Sequence, residues 1–130
     1  MKREIIREKT MQLIYQMDIT GDFNVSDLSV VEESANVVDK KQAAATLEAV
    51  QDHHEEIDKK IEDNLDNWKF DRIAKADLAI LRTAVAEMLY VDSIPVSVSI
   101  NEAVNLAKKY GDERSYKFVN SVLGKIAKSI

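Results

Sequence analysis

Ile94-Pro95-Val96-Ser97-Val98-Ser99-Ile100-Asn101-Glu102-Ala103-Val104-Asn105-Leu106-Ala107-Lys108-Lys109-Tyr110-Gly111 is the stretch on which the fold class turns. From Val96 to Ile100 it alternates apolar and polar residues, as a strand does. No second segment offers itself as a partner, and a lone strand leaves its backbone groups unpaired. Ser99-Ile100-Asn101-Glu102 instead has the form of a capping box, in which hydroxyl and carboxylate each accept from a free backbone N–H at a helix start. It predicts a helix opening there and running to Tyr110, with Gly111 as its stop. The chain therefore reads as all-α.

Upstream, Ile73, Ala76, Ile80, Leu81, Ala84, Val85, Met88 and Leu89 make the span from about Arg72 to Val91 apolar on most faces. A helix that is apolar on most sides belongs at the centre of a core. Asn67-Trp68-Lys69-Phe70 separates it from a longer pattern, about Lys41 to Asp66, in which Leu47, Val50, His54, Ile57, Ile61 and Leu65 step by three and four. A kink is expected near Asp52-His53-His54. At the start, Ile6, Thr10, Leu13 and Met17, widened by Ile14, predict a helix over about residues 3–18 that ends before Gly21-Asp22. Arg3 and Arg7 flank its apolar stripe and are expected to point at a ligand while their stems cover apolar surface. Ser26-Asp27 is read as the cap of a short helix through about Ala35, with Leu28 and Val31 inward. The whole is about six to seven helices in a single domain, residues 1–130, with helical subdomains at 1–67 and 68–130.

Composition agrees. Three glycines and one proline are too few for a fold that turns every few residues. The absence of cysteine excludes disulfides and thiolate metal sites and fits a reducing compartment. No apolar run approaches the length of a membrane span, and the charged N-terminus lacks a signal-peptide stretch, so a soluble cytoplasmic protein is expected. His53-His54 beside Glu55-Glu56 does not make a metal site, because neighbours on a helix point about 100° apart. No Gly-rich phosphate loop or nucleophile–base arrangement is present, so no enzyme is expected.

The net charge of −5 hides an uneven distribution: residues 1–9 sum to +2, residues 101–130 to +3, and the span between to −10. If the two ends meet, they form one basic patch. The expectation is that the first and last helices lie side by side, with Arg3, Arg7, Lys117 and Lys125 in that patch. The last helix, from Asp112 or Ser115 to about Lys128, turns Tyr116, Val119, Leu123, Ile126 and Ile130 inward, with Val122 at the edge. Arg114, Lys117, Phe118, Ser121, Lys125 and Lys128 lie off that stripe, Phe118 roughly 110° from its centre. Cations around an exposed aromatic suit single-stranded nucleic acid, whose phosphates meet the cations and whose bases stack on the ring. The competing reading is a solvated lysine face with Phe118 buried by a neighbouring helix.

Three segments resemble the NusB family. Arg7-Glu8-Lys9-Thr10-Met11-Gln12-Leu13-Ile14-Tyr15 resembles its first-helix signature. Asp71-Arg72-Ile73-Ala74-Lys75-Ala76-Asp77-Leu78-Ala79-Ile80-Leu81-Arg82, continuing to Glu87-Met88-Leu89-Tyr90, looks like its central helix. The opening quotation, followed by Ser115-Tyr116-Lys117-Phe118-Val119-Asn120-Ser121-Val122-Leu123, resembles its most specific stretch. The match runs end to end, weakly over residues 19–45. This chain departs from it with Val96-Ser97 in place of Tyr-Lys, Ser121 in place of Gly, and Glu4 inside a thinner arginine cluster.

The resemblance implies a NusB-like fold of two abutting helical subdomains and no cofactor. It implies binding to single-stranded boxA leader RNA together with the small-subunit ribosomal protein that acts as NusE. That pair joins the RNA polymerase antitermination complex and suppresses premature termination in ribosomal RNA operons. By the match, Arg3, Arg7, Lys117 and Phe118 carry over as RNA-contacting residues, joined by Arg114, Ser121 and Lys125 on the same helix face. Asp77 falls where the central helix meets NusE, the alternatives being a pairing with a lysine elsewhere or a solvent-facing position. The chain is expected to be a monomer or homodimer. Two rival readings are a NusB-like module of a ribosomal RNA methyltransferase and an adaptor that binds no RNA. With the sequence ending at Ile130 there is no room for a methyl-donor site, so the first rival expects a fragment.

Overall fold

Five α-helices and one short 3-10 turn make up the computed structural model, which describes residues 3–24 and 36–130. They are α1 (Arg3–Thr20), α2 (Val37–Glu62), the 3-10 turn Phe70–Arg72, α3 (Lys75–Tyr90), α4 (Val96–Tyr110) and α5 (Glu113–Ser129). There is no strand among the described residues. The helix expected from Ser26 to Ala35 lies outside them, so five helices stand where about six to seven were expected.

α3 is the hub. Every residue from Asp77 to Met88 is buried, because α3 packs against α1, α2, α4 and α5. Ile80, Leu81 and Val85 meet Leu47, Val50, Ile57 and Ile61 of α2 and Val119, Leu123 and Ile126 of α5 in one continuous cluster. Each such aliphatic side chain, fully withdrawn from water, contributes ~1.5–3 kcal/mol before the entropy of ordering is counted. The cluster runs across the Asn67-Trp68 turn, where Asn67 adopts a left-handed φ of 55°.

Local chemistry sets the helix ends. Asn36 accepts from the N–H groups of Val38 and Asp39 and starts α2 earlier than its apolar stripe does. The expected kink is at His53, whose φ of −132° leaves the helical region. Asp112 caps α5 by accepting from the Ser115 N–H.

The capping box at Ser99 is a misreading. α4 begins at Val96, directly after Pro95. Proline fixes φ near the helical value and has no N–H to leave unpaired, so it starts a helix without a side-chain cap. Ser99 is thus a full turn inside α4 and buried, its hydroxyl donating to Glu87 Oε1 at 2.8 Å.

A buried ion network fastens α1 and α2 to α3. Arg82 donates to both oxygens of Asp58 at 2.7 Å and lies 3.3 Å from Asp18. Burial alone would push this guanidinium down, but the two carboxylates hold its pKa above the ordinary arginine value. Phe23 lies over the guanidinium and stacks on His54, with ring centroids 4.1 Å apart. His53 turns the other way and stacks on Tyr90. The two adjacent histidines thus serve different contacts. No described helix is long and apolar enough to cross a membrane.

Candidate nucleic-acid interface

The first and last helices do not pack side by side as expected; residues 1–9 meet residues 101–130 through α4 instead, where Lys109 pairs with Glu8. α1 packs on α2 and α3, whereas α5 packs on α4 and α3, and α4 lies between their outward surfaces. Asn105 on α4 lines a shallow cleft toward α1 and a larger groove toward α5. The charge pattern correctly located cations at both ends, but the spacing of charges cannot say which helix intervenes.

Arg7 is the clearest displacement. It was expected to reach outward and is 8% exposed instead. Its Nε donates to Glu87 Oε2 at 2.9 Å, and Glu102 is 3.9 Å from its Nη1. With Ser99 on the other oxygen, Glu87 ties α1, α3 and α4 together. Arg3 remains at the surface and donates to Asp39 at 3.1 Å.

Between α4 and α5 runs an open groove of about 430 Å³. Asn101, Asn105 and Lys108 of α4 face Tyr116, Lys117 and Asn120 of α5 across it. Lys108 sits over the Tyr116 ring, 5.1 Å from its centre, a cation–π contact that keeps the ammonium at the groove edge. Lys117 is exposed and, among the described residues, pairs with Glu113, one turn back on the same helix, at 2.6 Å. Such an exposed pair holds its lysine weakly. Amide groups that both donate and accept, an aromatic ring and two ammonium groups are what an unpaired nucleotide requires. Asn101, Asn105, Lys108 and Asn120 were missed by sequence reasoning, which treated α4 as scaffold. The recoverable signal was the spacing of Asn101, Asn105 and Lys108 by four and three, which puts them on one face of a helix.

The outward face of α5 divides into two edges. Lys117 belongs to the groove. Arg114 and Ser121 are exposed between the edges. Phe118 and Lys125 turn toward the Asp66-Trp68 turn. Phe118 is half-buried, packed against the core and tilted against Trp68 with centroids 5.9 Å apart. Lys125 pairs with Asp66. Neither competing reading of Phe118 is complete: the ring packs against the core and Trp68 yet keeps part of its surface exposed.

Cations on this side are matched by carboxylates. Lys109 pairs with Glu8 at 2.9 Å, and Tyr110 donates to the other oxygen of the same carboxylate. Lys109 first, then Tyr110, hold the Glu8 carboxyl below the usual carboxylate range against its slight desolvation. Asp77 sits on α3 away from this face. It is buried beneath the start of α5, so a solvent-facing position does not describe it, and among the described residues no lysine pairs with it. Burial raises its pKa first; a hydrogen bond from Ser115 opposes this, and the charge of Asp112 adds to it.

A model of the NusB family matches residues 4–128. Transcription antitermination protein NusB of Bacillus subtilis (strain 168) is 43% identical over 134 residues, spanning 100% of this chain and 98% of that protein. NusB of T. maritima superposes with a TM-score of 0.82 at 31% identity, over 98% of this chain and 92% of that one. A crystal structure of the antitermination factors NusB and NusE in complex with double-stranded RNA matches at a TM-score of 0.81 and 31% identity, over 98% and 97% of the two chains.

Proposed function

Because this chain belongs to the NusB family of transcription antitermination proteins, which are not enzymes, we propose that it binds single-stranded boxA leader RNA together with NusE. In this reading the pair joins the elongating RNA polymerase in the cytoplasm and sustains transcription of ribosomal RNA operons. The observation that carries it is the α4–α5 groove, where Lys108, Lys117 and Tyr116 gather beside three asparagine amides. The solved relative that holds NusE and double-stranded RNA supports NusE and RNA as the classes of partner.

Residue roles follow from position. Lys117 and Arg114 meet phosphates, Ser121 lies between them and the Phe118 ring takes a base. Arg3 and Lys125 extend the cationic surface at its two ends. Arg7 acts indirectly, by holding α1 in register through Glu87. Asp77, at the α3–α5 junction, contributes to the NusE contact.

The deciding experiment titrates labelled boxA RNA against the chain, with and without NusE, beside a duplex of the same sequence. Tighter binding of the single strand, strengthened further by NusE, is expected. Absence of RNA binding under both conditions would leave a protein–protein adaptor as the reading.

A further inference from the structure

Trp68 is the single tryptophan of the chain and is 52% exposed, on a turn between α2 and the 3-10 turn. Large aromatic rings seldom stay in water unless something covers them, and here the surroundings are specific. Asn67, immediately before it, holds a left-handed φ of 55°, a conformation a non-glycine residue adopts at some cost. That backbone presents the indole beside Phe118, which comes from α5. The two rings are tilted by 47°, so they form an open angle, not a closed stack. Lys125 reaches the same turn through Asp66, and Lys69 is exposed next to the indole.

We propose that Trp68 is a second base-stacking residue, forming with Phe118 an aromatic cleft that receives an unpaired base of the bound RNA. This rests on the RNA-binding reading above. Stacking accepts any base, because every base has a π-face, and it needs cations nearby to hold the backbone. Lys69 and Lys125 meet that need. A helix with its side chains is about 10–12 Å across. A strand crossing α5 therefore passes from the Trp68–Phe118 cleft over Arg114 and Ser121 to the Lys117 edge of the α4–α5 groove. The two halves of the divided face then belong to one ligand. Exposed indole on a flat apolar face would have pointed to a protein partner; here the neighbours are an aromatic edge, the Lys125–Asp66 pair and the exposed Lys69.

The single tryptophan provides the test. The unaltered chain is titrated with unlabelled boxA RNA while indole emission is followed, and in parallel with labelled RNA while its anisotropy is followed. Emission should be quenched along the same saturation curve as the anisotropy. Trp68→Ala should weaken RNA binding ~5- to 150-fold, the range of one lost stacking contact. Trp68→Phe should retain most of the affinity, and circular dichroism should show all variants folded. RNA binding without a change in emission, or with unchanged affinity in Trp68→Ala, overturns the proposal and leaves the RNA-binding reading standing. Emission that shifts on adding NusE alone, and no further with RNA, assigns the indole to the protein contact and also overturns it. No RNA binding by anisotropy removes both readings together.

Discussion

Arg7 and Glu87 lie 80 positions apart in sequence and meet at 2.9 Å between the first helix and the central one. Both are buried, and Ser99 completes the carboxylate from α4. Removing one member of a buried pair strands the other charge in a low-dielectric site, at a cost of ~3–5 kcal/mol. Arg7→Ala and Glu87→Gln should each lower unfolding free energy on that scale in urea titrations. The double variant should lose less than the sum, because no stranded charge remains. If Arg7→Ala instead leaves stability intact and flattens the salt dependence of RNA binding, Arg7 touches RNA directly.

Phe118→Ala should register on two measurements. The ring is only half-buried, so its loss should cost ~1–3 kcal/mol of folding stability, less than the ~3–5 kcal/mol typical of a core phenylalanine. RNA affinity should fall by ~1–3 kcal/mol through the lost stacking surface. Thermal unfolding and RNA titration on the same preparation separate the two. Normal RNA affinity in a destabilised but folded variant would return Phe118 to the core.

Lys117→Ala isolates a phosphate contact. Its pair with Glu113 is exposed and on one helix, so folding stability should change by less than about 1 kcal/mol. The slope of log affinity against log salt should become shallower by ~0.7, the contribution of one neutralised phosphate on a single strand. RNA titrations at several salt concentrations give this slope directly. An unchanged slope places Lys117 outside the phosphate path.

Asp77 gives a pH signature of definite sign. Its folded pKa is raised, chiefly by burial, so the folded chain holds this proton more tightly than the unfolded chain does. Its contribution therefore favours folding at low pH and fades as pH rises from the ordinary aspartate range through the raised folded value. Asp77→Asn should match the parent protein at the acid end and become relatively more stable as pH climbs through that window. Asp18, whose carboxyl is lowered by Lys75 and Arg82 despite burial, has the opposite sign and is lost on acidification. Comparing the pH profiles of the parent and Asp77→Asn in urea cancels the Asp18 effect. Binding of NusE should weaken in Asp77→Asn, and unaltered binding removes Asp77 from that contact. Asparagine is the right probe because a lysine at a buried position would report on folding instead.

The sequence made the framework legible where periodicity is strong. The spread of apolar residues over most faces from Ile73 to Leu89 placed α3 at the centre, and the His53 kink and Gly111 stop followed from local signals. What failed was whatever depends on a distant partner. Arg7 resembles any surface arginine until Glu87 is folded against it. Phe118 reads as exposed because its cover, Trp68, comes from a turn with no helical register. Ser99-Ile100-Asn101-Glu102 fits a helix start and a helix interior equally well, and only the weight given to Pro95 separates them. The groove asparagines were legible in principle, but their meaning depends on α5 lying opposite.

The burial of α3 on every side also bears on how the molecule comes apart. By sequence α3 belongs with α4 and α5, yet it packs on α1 and α2 as well. Lifting α1 and α2 away would bare one flank of α3 to water, and lifting α4 and α5 would bare the other. Neither half can be withdrawn while the other keeps a complete core, which penalises half-folded intermediates and favours all-or-none unfolding. The groove between α4 and α5 is thereby mounted on a frame that either stands whole or is lost whole.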